Sequence, residues 1–308
     1  MGHMDLWRTL SLDFGGAVSF ADIASGLIVC VAAIWFGTLL AKKQARTFST
    51  QQTINSSTKA QSNGDLPGVN FFDYGDMRFL HLASPAVQGS MKLSKPFEIH
   101  LDYQQRMMAW LLLADLDQVC HQHAMQLGLG AASLTKFCHL QLNMHTTAVE
   151  LNPQVINTCR SWFHLPHDND KLQVLLADAA DVARQATWHG RIDALQVDVY
   201  DQEAACPALD TTDFYRDCRD LLTQDGCMTV NLFGQAYNTH DSIQKIAAAF
   251  GAEAVWSFKP TSAGNTIVLA WRRPRVFDKP HLQSQAQAIE ARWPLPATKW
   301  LKALAPVA

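Results

Sequence analysis

The stretch Met125–Glu150, MQLGLGAASLTKFCHLQLNMHTTAVE, reads as strand, glycine turn, helix, strand and acid. Met125–Leu127 is a short apolar strand end. Gly128 and Gly130 let the backbone turn sharply and approach a ligand closely. Ser133–Leu140 follows as a helix whose first amides point at that ligand. His145–Val149 is a second strand, and Glu150 stands at its carboxyl end. In an open parallel sheet ligands bind at that edge, and a carboxylate there can accept both hydrogen bonds of a ribose diol. A glycine turn followed by an acid is common, so the fold and site rest on the segments to either side.

Downstream, strands and helices alternate. A helix over Pro153–Trp162 starts where proline suits a first turn. Strand Leu172–Leu176 is followed by Ala177, Asp178 and Ala179, then a short helix over Asp181–Thr187. Strand Ala194–Val199 ends on Asp198, Tyr200 and Asp201. Helix Thr211–Leu222, strand Cys227–Leu232, helix Asp241–Phe250 and strands Ala254–Lys259 and Thr266–Trp271 complete the series. This order predicts a helix-covered, mostly parallel α/β sheet with antiparallel pairing at one edge. Arg272–Ala308 reads as a proline-punctuated tail with a helix at Leu282–Arg292.

Upstream, Asn70–His100 reads as a small β module. A hairpin turns at Tyr74–Asp76, and a further strand is expected over Lys92–His100, with Pro96 favouring an edge. Tyr103–Leu116 has apolar residues at helical spacing. Thr47–Gly68 is rich in Ser, Thr, Gln and Asn and reads as a flexible linker. Before it, Ile23–Ala41 carries no charge over 19 residues. As a helix it spans roughly 28 Å, close to the ~30 Å of a bilayer core. Lys42, Lys43 and Arg46 follow it, which places its C-terminal side in the cytoplasm if it is an anchor. A buried or dimer-interface helix is the alternative. Met1–Met4 reads as a cloning remnant. The organisation expected is therefore 1–46 remnant and anchor, 47–69 linker, 70–116 β module and first helix, 117–273 nucleoside-binding domain and 274–308 tail.

Composition narrows the function classes. The chain has 308 residues, 48% of them hydrophobic, and a net charge of −3, which speaks against nucleic acid as a partner. Seven cysteines with no CxxC pair favour reduced thiols over a disulfide framework. Twelve histidines are scattered, with no acid or cysteine at ligand spacing, so no metal is expected.

Glu150, Asp178 and the Asp198/Asp201 pair fall at the ends of successive strands. That is the order an S-adenosyl nucleoside needs. The first acid holds the ribose, the second accepts from the adenine amino group, and the last faces the sulfonium and the incoming nucleophile.

At these residues the chain resembles the spermidine synthase (polyamine aminopropyltransferase) family, from about Phe79 to Trp271. Ser90–Ala109 resembles the family's link from β module to first helix, with Tyr103 and Gln104 at its Tyr-Gln position. Leu127–Phe137 with Glu150 resembles the nucleoside turn and ribose acid, and Asp178-Ala179 the adenine-contacting pair. Val197–Asp201 resembles the DxxD catalytic loop, and Leu209–Phe214 the segment just after that loop.

The resemblance implies a doubly wound sheet of the methyltransferase-like Rossmann type, with a small N-terminal β module and here a separate N-terminal apolar helix. It implies Asp198, Asp201 and Tyr103 as catalytic residues. Gly128, Gly130, Glu150, Asp178 and Ala179 would bind the nucleoside, and Gln104 and Tyr200 the amine substrate. The co-substrate implied is decarboxylated S-adenosylmethionine. The family's turn reads GGGDGG, and its Asp, which holds the ligand's free amine, aligns here with Gly130. The loop after Asp201, QEAACPAL, departs from the usual gate. Three readings are open: aminopropyl transfer, methyl transfer from intact S-adenosylmethionine, and a non-catalytic nucleoside- or polyamine-binding module. The partners expected are a small amine, a membrane reached through residues 23–41, and a second copy of the chain. The location expected is the cytoplasm or the cytoplasmic face of a membrane.

Overall fold

The structure is a computed structural model that describes residues 66–83, 87–199, 209–233, 236–276 and 278–307. The apolar run 23–41 and nearly all of the polar stretch after it lie outside the described residues, as do Tyr200 and Asp201. Among the described residues no helix is long and apolar enough to cross a membrane.

Two sheets form. The smaller is antiparallel: β1 (Val69–Tyr74), β2 (Met77–Leu82) and β3 (Val87–Lys92), in that order. The larger has eight strands in the order β11-β9-β10-β8-β7-β4-β5-β6. Its parallel part is β4 (His123–Leu127), β5 (His145–Glu150), β6 (Leu172–Leu176), β7 (Ile192–Val197) and β8 (Leu222–Phe233). β9 (Val255–Phe258), β10 (Asn265–Trp271) and β11 (Leu304–Pro306) add an antiparallel edge. The strand order turns back beside β4, and open sheets of this kind bind ligands at the carboxyl ends of the strands flanking such a point, here β4, β5 and β7. β4 and β7 are almost wholly buried, which is why their sequences read as continuous rather than alternating runs.

Several of the helices start at a side-chain cap. α1 is Asp102–Arg106 and α2 is Ser133–Lys136, the latter continuing as a π turn over Phe137–Gln141. α3 (Pro153–Trp162) has Pro153 in its first turn, and the Asn152 side chain accepts from the Gln154 amide. α4 (Ala179–Ala183) and α5 (Thr212–Leu221) are capped by Asp178 and Thr211. α6 (Ala236–Phe250) follows β8. α7 (Lys279–Arg292) and α8 (Ala297–Trp300) pack Leu282, Ala286, Ile289 and Trp300 into the core that holds Trp110, Leu112 and Trp271. The Gln285 side-chain amide donates to the carbonyls of Leu111 and Ala114, and the Trp293 indole to that of Gln141.

Several expected elements differ. Lys92–His100 is not a strand; β3 ends at Lys92 and the chain then makes turns through Pro96. The helix expected over Tyr103–Leu116 stops at Arg106 and resumes as a 3₁₀ turn over Ala109–Leu113. Met107 to Leu112 are all buried, so this segment has no solvent face to sustain an amphipathic helix. The helix placed at Asp181–Thr187 starts earlier, at Ala179, because the Asp178 carboxylate caps it. The segment after Trp271 contributes β11, which pairs with β9.

Candidate active site

Gly128 continues β4 by donating its amide to the Val149 carbonyl, then turns at φ +90°. A Cβ at this position would collide with the Asp198 carbonyl oxygen. The turn is thus pressed against the end of β7, and only glycine fits. Gly130 has φ +50°, and a Cβ there would lie 3.0 Å from the Gln88 carbonyl oxygen. Ala132 also takes a positive φ, 57°, where a side chain is disfavoured. β3 closes over this turn: a Cβ on Gly89 would come within 2.7 Å of Ala131, and the Ser133 hydroxyl donates to the Ser90 carbonyl at 3.1 Å.

Glu150 is fixed by the turn it faces. Its Oε2 accepts from the Leu129 amide at 3.1 Å and its Oε1 from the Asn152 amide at 2.8 Å. Burial pushes its carboxyl above the ordinary carboxylate range, and the Asn152, Leu129 and Leu151 amides oppose that rise. Asp178 accepts from the Ala180 amide at 2.7 Å and the Asp181 amide at 3.3 Å, both at Oδ1. Ala179, beside it, is buried in the first turn of α4. Leu151 and Leu176 stand 51% and 59% exposed next to these acids, and Leu176 is the β6 partner of Glu150.

Asp198 leaves β7 with its amide bonded to the Leu127 carbonyl. Its Oδ1 accepts from the Asn231 side-chain amide at 2.8 Å, and the Tyr103 hydroxyl donates to the same carboxylate. Burial raises its pKa, while Asn231 and Tyr103 lower it. Tyr103 reaches this point from α1, nearly a hundred residues upstream in the chain. Gln104, next to it, is 4% exposed, and its Oε1 meets no hydrogen-bond partner among the described residues.

The structure therefore brings Gly128, Asp198 and Tyr103 together, and ties Glu150 to the turn between the two glycines. The side chains of Tyr200 and Asp201 lie outside the described residues. Reading the sequence misses Asn231, Leu151 and Leu176. Asn231 carries a signal, being a polar residue inside the apolar strand MTVNLF, close to the carboxyl edge.

The spermine/spermidine synthase domain model matches residues 128–280. A polyamine aminopropyltransferase of Neisseria meningitidis serogroup A is 34% identical over 208 residues, 67% of this chain and 77% of that protein. A probable spermidine synthase from Corynebacterium glutamicum shares the fold at a TM-score of 0.61 and 17% identity, over 77% of this chain and 87% of that one. Human methyltransferase-like protein 13, in complex with SAH, shares it at 0.56 and 23% identity, over 63% and 92%. The same architecture thus occurs in proteins named for two different transfers, and fold alone does not choose between them.

Proposed function

The chain belongs to the spermine/spermidine synthase family, and on that premise we propose that it transfers an aminopropyl group from decarboxylated S-adenosylmethionine to a polyamine. The observation that carries this reading is the contact of the glycine turn with Asp198, whose carboxylate also takes the Tyr103 hydroxyl. Nucleoside turn and candidate base are thereby one unit.

In the proposed site Gly128 and Gly130 let the backbone meet the ligand, Glu150 holds the ribose hydroxyls, and Leu151 and Leu176 wall the adenine. Asp178, with Oδ1 spent on the α4 cap, keeps Oδ2 for the adenine amino group. Gln104 and Tyr200 bind the acceptor amine in this reading. The amine nitrogen attacks the methylene beside the sulfonium, the carbon–sulfur bond breaks with its electrons moving to sulfur, and methylthioadenosine leaves. Attack requires an unprotonated amine. Asp198, and Asp201 beyond it, take and orient that proton, and Tyr103 holds the carboxylate in place. The pKa rise that burial gives Asp198 makes it a better proton acceptor.

One observation favours methyl transfer instead: the turn Gly128–Ala132 carries no acid to hold a free aminopropyl amine. Calorimetric titration with each donor separates the two. Tighter binding of decarboxylated S-adenosylmethionine supports aminopropyl transfer, and tighter binding of intact S-adenosylmethionine supports methyl transfer. Attachment to a membrane through residues 23–41, on its cytoplasmic side, is part of the proposal on sequence grounds, and a homodimer is the assembly proposed.

A further inference from the structure

β10 pairs with β8 in a register that sets Asn231 opposite Ile267 and Asn265 opposite Phe233. Asn265 and Asn231 are therefore diagonal neighbours on one face of the sheet. On the other side of β8, Val230 pairs with Val197, which puts Asn231 beside Asp198. Asn265 on β10, Asn231 on β8 and Asp198, the first residue past β7, thus form a row that ends at the candidate base.

The row has a direction. The Thr261 hydroxyl lies 3.5 Å from Asn265 Oδ1, and the Asn265 amide nitrogen donates to Asn231 Oδ1 at 3.0 Å. With its oxygen so engaged, Asn231 can present only its NH₂ to Asp198, at 2.8 Å. Asn231, Thr261 and Asn265 are 5%, 8% and 7% exposed, so water does not compete for these bonds. The loop that holds Thr261 is closed onto Asn265 by two bonds, from the Thr261 backbone amide to the Asn265 backbone carbonyl and from the Asn265 backbone amide to the Thr261 hydroxyl.

We propose that Asn265 and Asn231 form a directional amide relay that orients the Asp198 carboxylate, and that both are positioning residues for the reaction at that carboxylate. Asn231 lies within β8 and Asn265 opens β10, both buried, and a buried amide is costly unless it is satisfied. Of these two asparagines, only Asn231 bonds to Asp198. Asn265 acts through it, locking an amide that would otherwise rotate and bring its oxygen against the carboxylate. The other described group bonded to the carboxylate is the Tyr103 hydroxyl, from α1. The relay's donor favours the charged carboxylate over the acid, so losing it moves the Asp198 titration upward.

The proposal rests on the aminopropyl reading only for its rate measurement. The deciding measurement needs no turnover: the side-chain carboxyl ¹³C resonance of Asp198, assigned with Asp198→Asn, is titrated in the full chain. In the unaltered protein the side-chain NH₂ signals of Asn231 and Asn265 should shift with the same midpoint. Asn265→Leu should raise that midpoint by about one pH unit, and the acid limb of kcat should move with it while KM for the donor stays within twofold. Asn265→Ser, which keeps a donor, should restore most of the shift. Asn265 signals that ignore the Asp198 titration, or a midpoint unchanged in folded Asn265→Leu, overturn the relay. If Asn265→Leu does not fold, the unaltered protein and Asn265→Ser still decide it. An unaltered protein that shows the shared midpoint yet gives no methylthioadenosine leaves the relay standing and overturns the aminopropyl reading.

Discussion

Replacing Glu150 by Gln separates ligand binding from folding more cleanly than any other change at the site. Each carboxylate oxygen already serves one backbone amide, Leu129 at 3.1 Å and Asn152 at 2.8 Å. A glutamine offers one oxygen and one NH₂ to the same two donors, so one amide must face another donor. The ribose diol meets the same shortage, because one of its two acceptors has become a donor. Losing a charge-assisted bond costs about 1.5–3 kcal/mol, which is roughly ten- to a hundredfold in affinity.

Folding responds differently. Burial raises the Glu150 pKa above its free value of 4.5. Between the two values the folded state binds more protons than the unfolded state, so stability falls as pH rises through that window. The charged side chain is therefore a cost at neutral pH, and a neutral glutamine relieves it while stranding one amide. The unliganded variant should melt cooperatively within a few degrees of the unaltered protein. The assay is calorimetric titration of both proteins with methylthioadenosine, together with the thermal shift that this ligand gives. Equal affinities would refute the reasoning and place the nucleoside elsewhere. A variant that fails to fold would show that Glu150 supports the turn rather than the ligand.

Other outcomes rest on the same geometry. Asp198→Asn should abolish turnover while leaving methylthioadenosine affinity within a few-fold, read by steady-state rates and calorimetry, because it removes the proton acceptor and no ribose contact. In the unaltered enzyme the rate should fall with decreasing pH along a limb above 3.8, the ordinary aspartate value, since burial raises this carboxyl and only its charged form accepts a proton. Lys136 is buried, donates to the Phe163 carbonyl at 2.6 Å, and is lowered from 10.5 to about 8 by burial. Its folded form binds fewer protons than its unfolded form between those values, so stability should rise with pH from about 8 to 10.5. Lys136→Met should lose that rise, up to about 3 kcal/mol, in urea unfolding at pH 7.5 and pH 10. Deleting residues 1–46 should move the protein from the membrane fraction to the soluble one with its melt intact, and a full-length protein already soluble without detergent would speak against the anchor.

The parallel sheet is legible in the sequence because its central strands β4 and β7 are buried on both faces and several of its helices carry their own start signals. Asn152 and Pro153 mark the beginning of α3 to the residue. Legibility fails where tertiary context overrides local pattern. Met107–Leu112 has the apolar density of a helix, but burial on all sides lets it tighten into a 3₁₀ turn. Thr47–Gly68 reads as linker by composition, yet the Pro67 carbonyl accepts from the Asn152 side chain. Glu150, Asp178 and Asp198 are legible by their place at strand ends, and Tyr103 through the resemblance alone. Asn231 and Asn265 are not, because their meaning lies in the β8–β10 register. Gly130 changes meaning too: with φ +50° and the Gln88 carbonyl beneath it, an aspartate there would be strained before it met any ligand.

The central claim is the transfer itself, and product analysis tests it most directly. The full chain is incubated with putrescine and, separately, with decarboxylated and intact S-adenosylmethionine, and the nucleoside product is identified by mass. The account predicts methylthioadenosine and spermidine from the decarboxylated donor, lost in Asp198→Asn. S-adenosylhomocysteine from the intact donor, with no methylthioadenosine from the other, would contradict it.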